Sequence, residues 1–146
     1  MANKQSIFSG DATGAEKVAA FLSKAGVFYL GTTDGDQPKI RAFSWFDYQA
    51  DTNRLIFSTG GFKNVCKQMT ANPKVEIFAH VGMYFLRLDG TVKFLDDDNI
   101  REQVKHDSPG IAKTYQEHGW QLQPFTIENG HVEVRYSLEP VEEFDV

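Results

Sequence analysis

The apolar runs in the first half of this chain are joined by links too short for parallel crossovers. Residues 27–33 are followed by a polar turn at 34–36, and two further apolar runs occupy 40–48 and 55–59. Parallel strands need a connection of a dozen or more residues, whereas antiparallel neighbours need only a tight turn. The sequence therefore predicts an antiparallel meander over its first three strands.

The chain also contains three segments with a helical pattern. Residues 13–25 place apolar side chains at helical spacing behind Thr13 and Glu16, which predicts a helix with a capping box. Residues 62–71 predict a second, shorter helix that ends before Asn72-Pro73. Residues 96–118 are charged and helical in pattern, with a break predicted at 108–110.

The remaining strands complete a mainly β fold. Residues 75–81 and 83–95 predict two strands, and 124–138 predicts a hairpin that turns at Asn129-Gly130. Six or seven strands with two or three helical insertions are typical of a small antiparallel β-barrel with flanking helices. No linker or repeat divides the chain, so residues 1–146 are predicted to form a single domain.

Composition narrows the classes of function. Apolar residues make up 41% of the chain, which is enough for a folded core, and the formal net charge of −5 argues against a nucleic-acid binder. Residues 1–14 show no apolar leader, and no run approaches membrane-spanning length. With Cys66 as the only cysteine, we expect a cytoplasmic protein without disulfides or membrane contact.

The junction between the third strand and the second helix is the first candidate site. Ser58 and Thr59 supply hydroxyls, Gly60 and Gly61 permit a close backbone approach, and Lys63 adds a charge beside free helix-start amides. These groups suit a phosphate. The alternative is a hydroxyl-capped surface helix with a solvated lysine, which the local pattern alone favours because such caps are common.

A second cation lies on the preceding strand. Strand alternation places Arg41 on the same face as Phe43 and Trp45, where a cation is costly unless an anion meets it. If this strand pairs with 55–59, Arg41 and Lys63 converge and clamp the phosphate of a planar cofactor. The alternative is that Arg41 lies near a strand end and extends into water.

Four motifs in this sequence resemble those of a known family. The segments QPKIRAF, FSTGGFKNV, KQMTANPKVEI and LDGTVKF are similar to the pyridoxamine 5′-phosphate oxidase-like, FMN-binding split-barrel proteins, and the similarity spans about residues 18–95. The resemblance implies a six-stranded antiparallel split barrel and a homodimer. It also implies that FMN lies at the subunit interface.

The resemblance also implies which residues bind the cofactor. In the family, the cofactor is bound by a strand that lines the flavin, a strand end that hydrogen-bonds its ring and a helix start that binds its phosphate. In this chain, the residues that match these segments are Arg41, Ala42, Phe43, Ser58, Thr59, Lys63 and Asn64. Asn64 departs from the usual basic pair, since an amide brings no charge. We expect this departure to lower the affinity for FMN.

The function predicted on this basis is that of an FMN-dependent oxidoreductase with an unassigned substrate. Hydride would pass between a reduced donor, such as a nicotinamide, and a small acceptor. The C-terminal basic motif of the true oxidases is not found, which argues against pyridoxamine phosphate as substrate. The four histidines show no metal-ligand spacing, and no catalytic residue stands out. The alternatives are a non-catalytic FMN or haem binder, acting as electron carrier or sensor, and an apo structural homodimer.

Overall fold

The computed structural model describes residue 8 and residues 10–146. Within these residues, the helices are α1 (Gly14–Ala25), α2 (Asn64–Ala71), α3 (Asp98–Asp107) and α4 (Pro109–His118). The strands are β1 (Phe28–Asp34), β2 (Gln37–Phe43), β3 (Phe46–Gln49), β4 (Arg54–Gly60), β5 (Lys74–Val81), β6 (Tyr84–Phe94), β7 (Leu122–Tyr136) and β8 (Glu139–Asp145). The expectation that the chain lacks an apolar leader concerns a segment that lies mostly outside the described residues.

One antiparallel sheet contains all eight described strands. Its order is β2-β1-β5-β6-β7-β4-β3, and β8 adds to β7. The two ends of this order, β2 and β3, are consecutive in the chain and separated only by Ser44 and Trp45. The predicted mainly β, barrel-type fold is therefore confirmed, with eight strands where the sequence predicted six or seven.

The predicted meander of the first three strands is confirmed in its antiparallel pairs but wrong in its continuous middle strand. β2 pairs with β1, whereas β4 pairs with β3 and β7. The run predicted as one strand at 40–48 divides at Ser44-Trp45, and Trp45 packs against a cluster beneath α3 and α4. The members of this cluster are Ile56, Leu95, Ile100, Val104, Tyr115 and Leu122. Burial of the indole thus separates the two halves of the predicted strand.

A larger cluster fills the inner face of the sheet. Phe57 stacks on Phe125 with ring centroids 5.5 Å apart, and Phe28 meets Phe57 at 5.7 Å. Phe21 and Leu22 of α1 belong to the same cluster and are fully buried. Complete burial of each such side chain contributes about 1.5–3 kcal/mol, so α1 and the sheet hold together chiefly through apolar contact.

The helix ends agree with the sequence patterns. Thr13 and Glu16 form the predicted capping box at the start of α1, which satisfies helix-start amides that would otherwise lack partners. The predicted break at 108–110 is confirmed, because α3 ends before Ser108 and α4 begins at Pro109. None of the described helices combines the length and apolar composition needed to cross a bilayer.

The predicted hairpin at Asn129-Gly130 is wrong. Both residues lie inside β7, at a shift in register between β7 and β6. Asn129 has a φ of 52°, and a bulge accommodates the left-handed conformation of this residue as readily as a turn does. The chain reverses instead at Ser137, with a φ of 52°, and continues into β8.

The last strand is tied to β7 by a charged cluster. The ring nitrogens Nδ1 and Nε2 of His131 lie 2.8 Å from Asp145 and 2.7 Å from Glu143. These two carboxylates raise the pKa of His131 from its ordinary value of 6.5 to about 9. The imidazolium therefore links β7 to β8 at neutral pH.

This cluster predicts an alkaline-sensitive contribution to stability. Because the folded pKa lies above the unfolded value, the contribution is fully present below pH 6.5 and is lost as pH rises through about 9. We expect His131→Gln to destabilise the protein at pH 6 but to leave it nearly unchanged at pH 10. Urea denaturation at both pH values measures the difference. His80→Gln, at an exposed histidine on β5, is the control. An equal loss at both pH values would contradict the assignment.

Candidate functional site

Arg41 projects from β2 across β1 and reaches α2. Its Nη1 donates hydrogen bonds to the carbonyl oxygen of Leu30 at 3.1 Å and to Oγ1 of Thr32 at 2.7 Å. Its Nη2 donates to Oε1 of Gln68 at 2.7 Å. The alternative in which Arg41 extends into water is therefore wrong, since three protein acceptors hold the guanidinium.

The charge of Arg41 has no carboxylate partner among the described residues. Its hydrogen-bond acceptors are a carbonyl, a hydroxyl and an amide, all of them neutral. Burial lowers the pKa of Arg41, because desolvation disfavours its charged form. A half-buried cation in neutral surroundings favours the approach of an anion.

The start of α2 precedes, by about one turn, the Gln68 side chain that Arg41 contacts. Lys63 occupies the cap position and its side chain does not cap the helix, so the predicted hydroxyl-capped helix is wrong at this point. Lys63 and Asn64 are both exposed. Asn64 precedes Gln68 by four residues, so the two side chains share one face of the helix. Arg41 thus reaches α2 about one turn beyond Asn64.

Arg41 meets α2 by a different route from the one expected, and its hydrogen bond to this helix goes to Gln68. α2 packs on both β1 and β4, and Arg41 reaches it across β1 rather than from a strand beside β4. A cavity of about 250 Å³ lies between α2 and the β1–β2 turn. Its lining residues are Thr33, Asp34, Gly35, Asn64, Lys67, Gln68 and Ala71.

The end of β4 carries two hydroxyls without partners. Neither Oγ of Ser58 nor Oγ1 of Thr59 has a hydrogen-bond partner within the described structure, although both atoms are buried. An unpaired buried hydroxyl costs about 1–3 kcal/mol. Since consecutive strand residues face opposite sides, the two hydroxyls serve different surfaces of the strand. Each is a free donor and acceptor beside the Gly60-Gly61 turn.

The other predicted residues of β2 divide between the two faces of the strand. Phe43 is half-buried and meets Phe28 and Phe125 at centroid distances of 6.1 and 6.4 Å. Ala42 is exposed on the opposite face. The structure therefore brings Arg41 to Gln68 in the middle of α2 and places Phe43 against the core. Ala42 faces outward.

Two residues of the site were missed by sequence reasoning. Thr32 is 4% exposed on the inner face of β1, and its hydroxyl donates to Oε1 of Gln68 at 2.6 Å. A threonine alternating with Phe28 and Leu30 on a buried face was the available signal for Thr32. Gln68 lies between the buried Val65 and Met69 of α2, and nothing in its local pattern indicates a role.

Three aromatic side chains pack beside the Gly60-Gly61 turn. Phe62 stacks on Trp120 with centroids 4.1 Å apart, and Tyr115 meets both rings edge-on. A cavity of about 650 Å³ lies alongside, between α3, α4 and the start of β7, and Tyr115 and Trp120 contribute to its wall. Gly61 donates its amide to the carbonyl of Gln121 at 3.0 Å, which joins the turn to this wall.

The family of this chain follows from its match to a family model. The model described as pyridoxamine 5′-phosphate oxidase matches residues 15–133. The chain belongs to the pyridoxamine 5′-phosphate oxidase family. Membership confirms the resemblance and accounts for the antiparallel barrel-type sheet. Among curated proteins, none matches the sequence.

Solved structures show the same family fold. A NimC/NimA family protein from Clostridium acetobutylicum is 29% identical, with a TM-score of 0.79 over 92% of this chain and 94% of that chain. A pyridoxamine 5′-phosphate oxidase-related, FMN-binding protein from Nostoc punctiforme is 13% identical, with a TM-score of 0.56 over 88% and 94%. A heme-binding protein from Mycobacterium smegmatis is 11% identical, with a TM-score of 0.65 over 94% and 59%. The last two show similarity of fold alone.

The residues of this family member fit a phosphorylated planar cofactor. The unpaired charge of Arg41 and the cap position of Lys63 suit a phosphate, and the orphaned hydroxyls of Ser58 and Thr59 suit hydrogen-bonding atoms of a ring. Within the described residues, His, Cys, Asp and Glu side chains form no group of three suited to a metal ion. The cation of Arg41 and the free hydroxyls of Ser58 and Thr59 favour an anionic group with further hydrogen-bonding atoms.

The tight approach at Gly60 predicts an asymmetric response to substitution in this turn. A Cβ at Gly60 would lie 2.6 Å from the Phe62 ring and 2.8 Å from the Tyr115 hydroxyl, whereas one at Gly61 would meet nothing closer than 3.8 Å. We expect Gly60→Ala to destabilise the protein by about 1–3 kcal/mol. Gly61→Ala, the matched control, should stay within about 0.5 kcal/mol of wild type. Urea denaturation measures both, and equal effects would contradict the close packing.

Proposed function

We propose that the protein binds FMN and acts as an FMN-dependent oxidoreductase. The uncompensated charge of Arg41, held at α2 by neutral acceptors, is the observation that carries this proposal. Family membership supports it, since a relative of the same fold is described as FMN-binding. The substrate stays unassigned.

In this proposal, the side chains near α2 bind the phosphate and those at the end of β4 bind the ring. Arg41 and Lys63 hold the phosphate, and Asn64 donates a hydrogen bond without adding charge. Ser58 and Thr59 orient the ring by filling their free hydrogen-bonding positions. Bound FMN supplies hydride transfer through its N5 position, with a reduced nicotinamide as the proposed donor.

Pyridoxamine phosphate is not the proposed substrate. Arg135, which is the basic residue near the C-terminus, donates from Nε to the carboxylate of Glu133 and from Nη1 to the carbonyl of Leu138 at 3.3 Å. Its charge is thus engaged in a local ion pair rather than in a basic cluster.

We also propose a homodimer with the flavin between subunits, as the family resemblance implies. The outer face of β1, β2, β5 and β6 provides a surface for a second copy. Tyr29, Phe78 and Phe85 lie half-buried on this face, and Phe78 and Phe85 are 6.0 Å apart. Ile40 of β2 shares the face through its pairing with β1 and is 71% exposed. Exposed apolar groups of this kind favour association.

A charge at Ile40 should weaken this dimer. We expect Ile40→Glu to raise the dimer dissociation constant about tenfold or more, because each buried aliphatic side chain contributes about 1.5 kcal/mol or more. Sedimentation over a range of concentrations measures the constant. Ile111→Glu, at an exposed position on α4, is the control. A wild-type protein that stays monomeric at all concentrations would contradict the dimer.

Flavin titration tests the cofactor. Purified protein titrated with FMN should quench flavin fluorescence at a stoichiometry of one per subunit. We expect Lys63→Ala to weaken FMN binding by about 1–3 kcal/mol, since a hydrogen bond to a charged group is lost. Lys24→Ala, at an exposed lysine in the last turn of α1, should bind as wild type does. An unchanged dissociation constant for Lys63→Ala would place the phosphate elsewhere.

The competing proposal is a non-catalytic FMN or haem binder that serves electron transfer or sensing. It is favoured by the uncharged Asn64 at a position that is usually basic, and a heme-binding protein shares the fold. Anaerobic reduction of the loaded protein by NADPH, followed by turnover of an added acceptor, supports the enzyme. A Soret band after addition of haem, without flavin quenching, supports the haem binder. We place either activity in the cytoplasm, in keeping with the single buried thiol of Cys66.

A further inference from the structure

Gln68 is the neutral side chain that ties Arg41 to α2. Its Oε1 accepts hydrogen bonds from Nη2 of Arg41 at 2.7 Å and from Oγ1 of Thr32 at 2.6 Å. With both donors on Oε1, the Nε2 end of the amide is directed elsewhere, and Gln68 also lines the cavity of about 250 Å³ beside α2. The orientation of this amide is therefore set by the chain itself.

The hydrogen bonds of Arg41 leave part of its guanidinium available. Three donations go to Leu30, Thr32 and Gln68, two from Nη1 and one from Nη2. A guanidinium has five N–H donors, so Nε–H and one N–H of Nη2 remain. Two donors on one guanidinium are what a bidentate phosphate contact requires. The arginine is thus held in place with its phosphate-binding capacity intact.

We propose that Gln68 is a positioning residue that orients Arg41 for an anionic phosphate and that it must be uncharged to do so. This inference rests on the proposed FMN site and adds to it a residue that neither the motifs nor the family resemblance indicated. A carboxylate at position 68 would hold the guanidinium equally well but would neutralise it. An apolar side chain would leave the charge but lose the orientation.

Two substitutions at position 68 separate the effect of its charge from its effect on the orientation of Arg41. Gln68→Glu keeps the size and the acceptor of the native side chain and adds a negative charge within hydrogen-bonding distance of Nη2. The new ion pair should keep or raise the melting temperature, so a loss of FMN affinity could not result from misfolding. Gln68→Met keeps the approximate size and removes the acceptor of Nη2, so that Nη1 alone holds the guanidinium.

The comparison of FMN with riboflavin isolates the phosphate, because riboflavin has the same ring and lacks that group. We expect Gln68→Glu to weaken FMN binding about 10- to 100-fold while riboflavin binding changes less than about twofold. Gln68→Met should weaken FMN binding about 3- to 10-fold, again without effect on riboflavin. Gln116→Glu, at an exposed position on α4, adds the same charge at a distance and should bind both flavins as wild type does.

Fluorescence titrations of the full chain with both flavins, together with thermal melts of each variant, complete the test. A reduced preference for FMN over riboflavin in Gln68→Glu, at an unchanged or higher melting temperature, supports the positioning role. An unchanged preference overturns it, and so does an equal loss of both flavins, which a merely structural residue would cause. Wild-type protein that binds riboflavin and FMN alike overturns the inference alone. Wild-type protein that binds neither flavin overturns the proposed function as well.

Discussion

A half-buried guanidinium surrounded by neutral acceptors is the constraint on which the site depends. Desolvation of Arg41 is unfavourable, and the carbonyl, hydroxyl and amide around it satisfy its hydrogen bonds without cancelling its charge. The fold tolerates this cost because α2 packs on β1 and β4 and so brings Gln68 to the cation. An anion that enters here meets a prepared partner, since no carboxylate of the described residues pairs with Arg41 and would have to be displaced.

The stability of the scaffold has a separate source. Apolar contact between α1 and the inner face of the sheet supplies the main core, and a second cluster fixes α3 and α4. Neither cluster requires the polar groups around Arg41. The protein can therefore maintain an unfavourable charge in one region because two apolar regions stabilise the rest, a division common to proteins with preorganised binding sites.

Sequence patterns were informative where the controlling interactions are local. The capping box at Thr13 and Glu16 and the break before Pro109 depend on residues within a few positions of one another, and both are seen. The division of the predicted strand at 40–48 depends instead on contacts between distant segments, and the sequence pattern predicted one continuous strand there. Asn129 shows a third case, because a left-handed residue serves a bulge as well as a turn.

The residues of the candidate site also divide into those that the sequence predicted and those that it did not. Arg41 was identified from strand alternation, since a cation on an aromatic face is unusual in any fold. Gln68 was not identified, because its role comes from its contact with Arg41, on a strand distant in sequence, and from the neutrality of its side chain. Motif resemblance located the helix start at Lys63 and Asn64, but it could not show that Arg41 contacts the same helix at Gln68.

The two-residue connection between β2 and β3 has a mechanical consequence. The two outermost strands of the sheet are joined covalently through Ser44 and Trp45, and the indole N–H of Trp45 donates to Asp107 at 3.1 Å. The Trp45 side chain therefore links this connection to the end of α3 and to the cluster beneath α3 and α4. Through it, the outer helices contact the chain only four residues beyond Arg41.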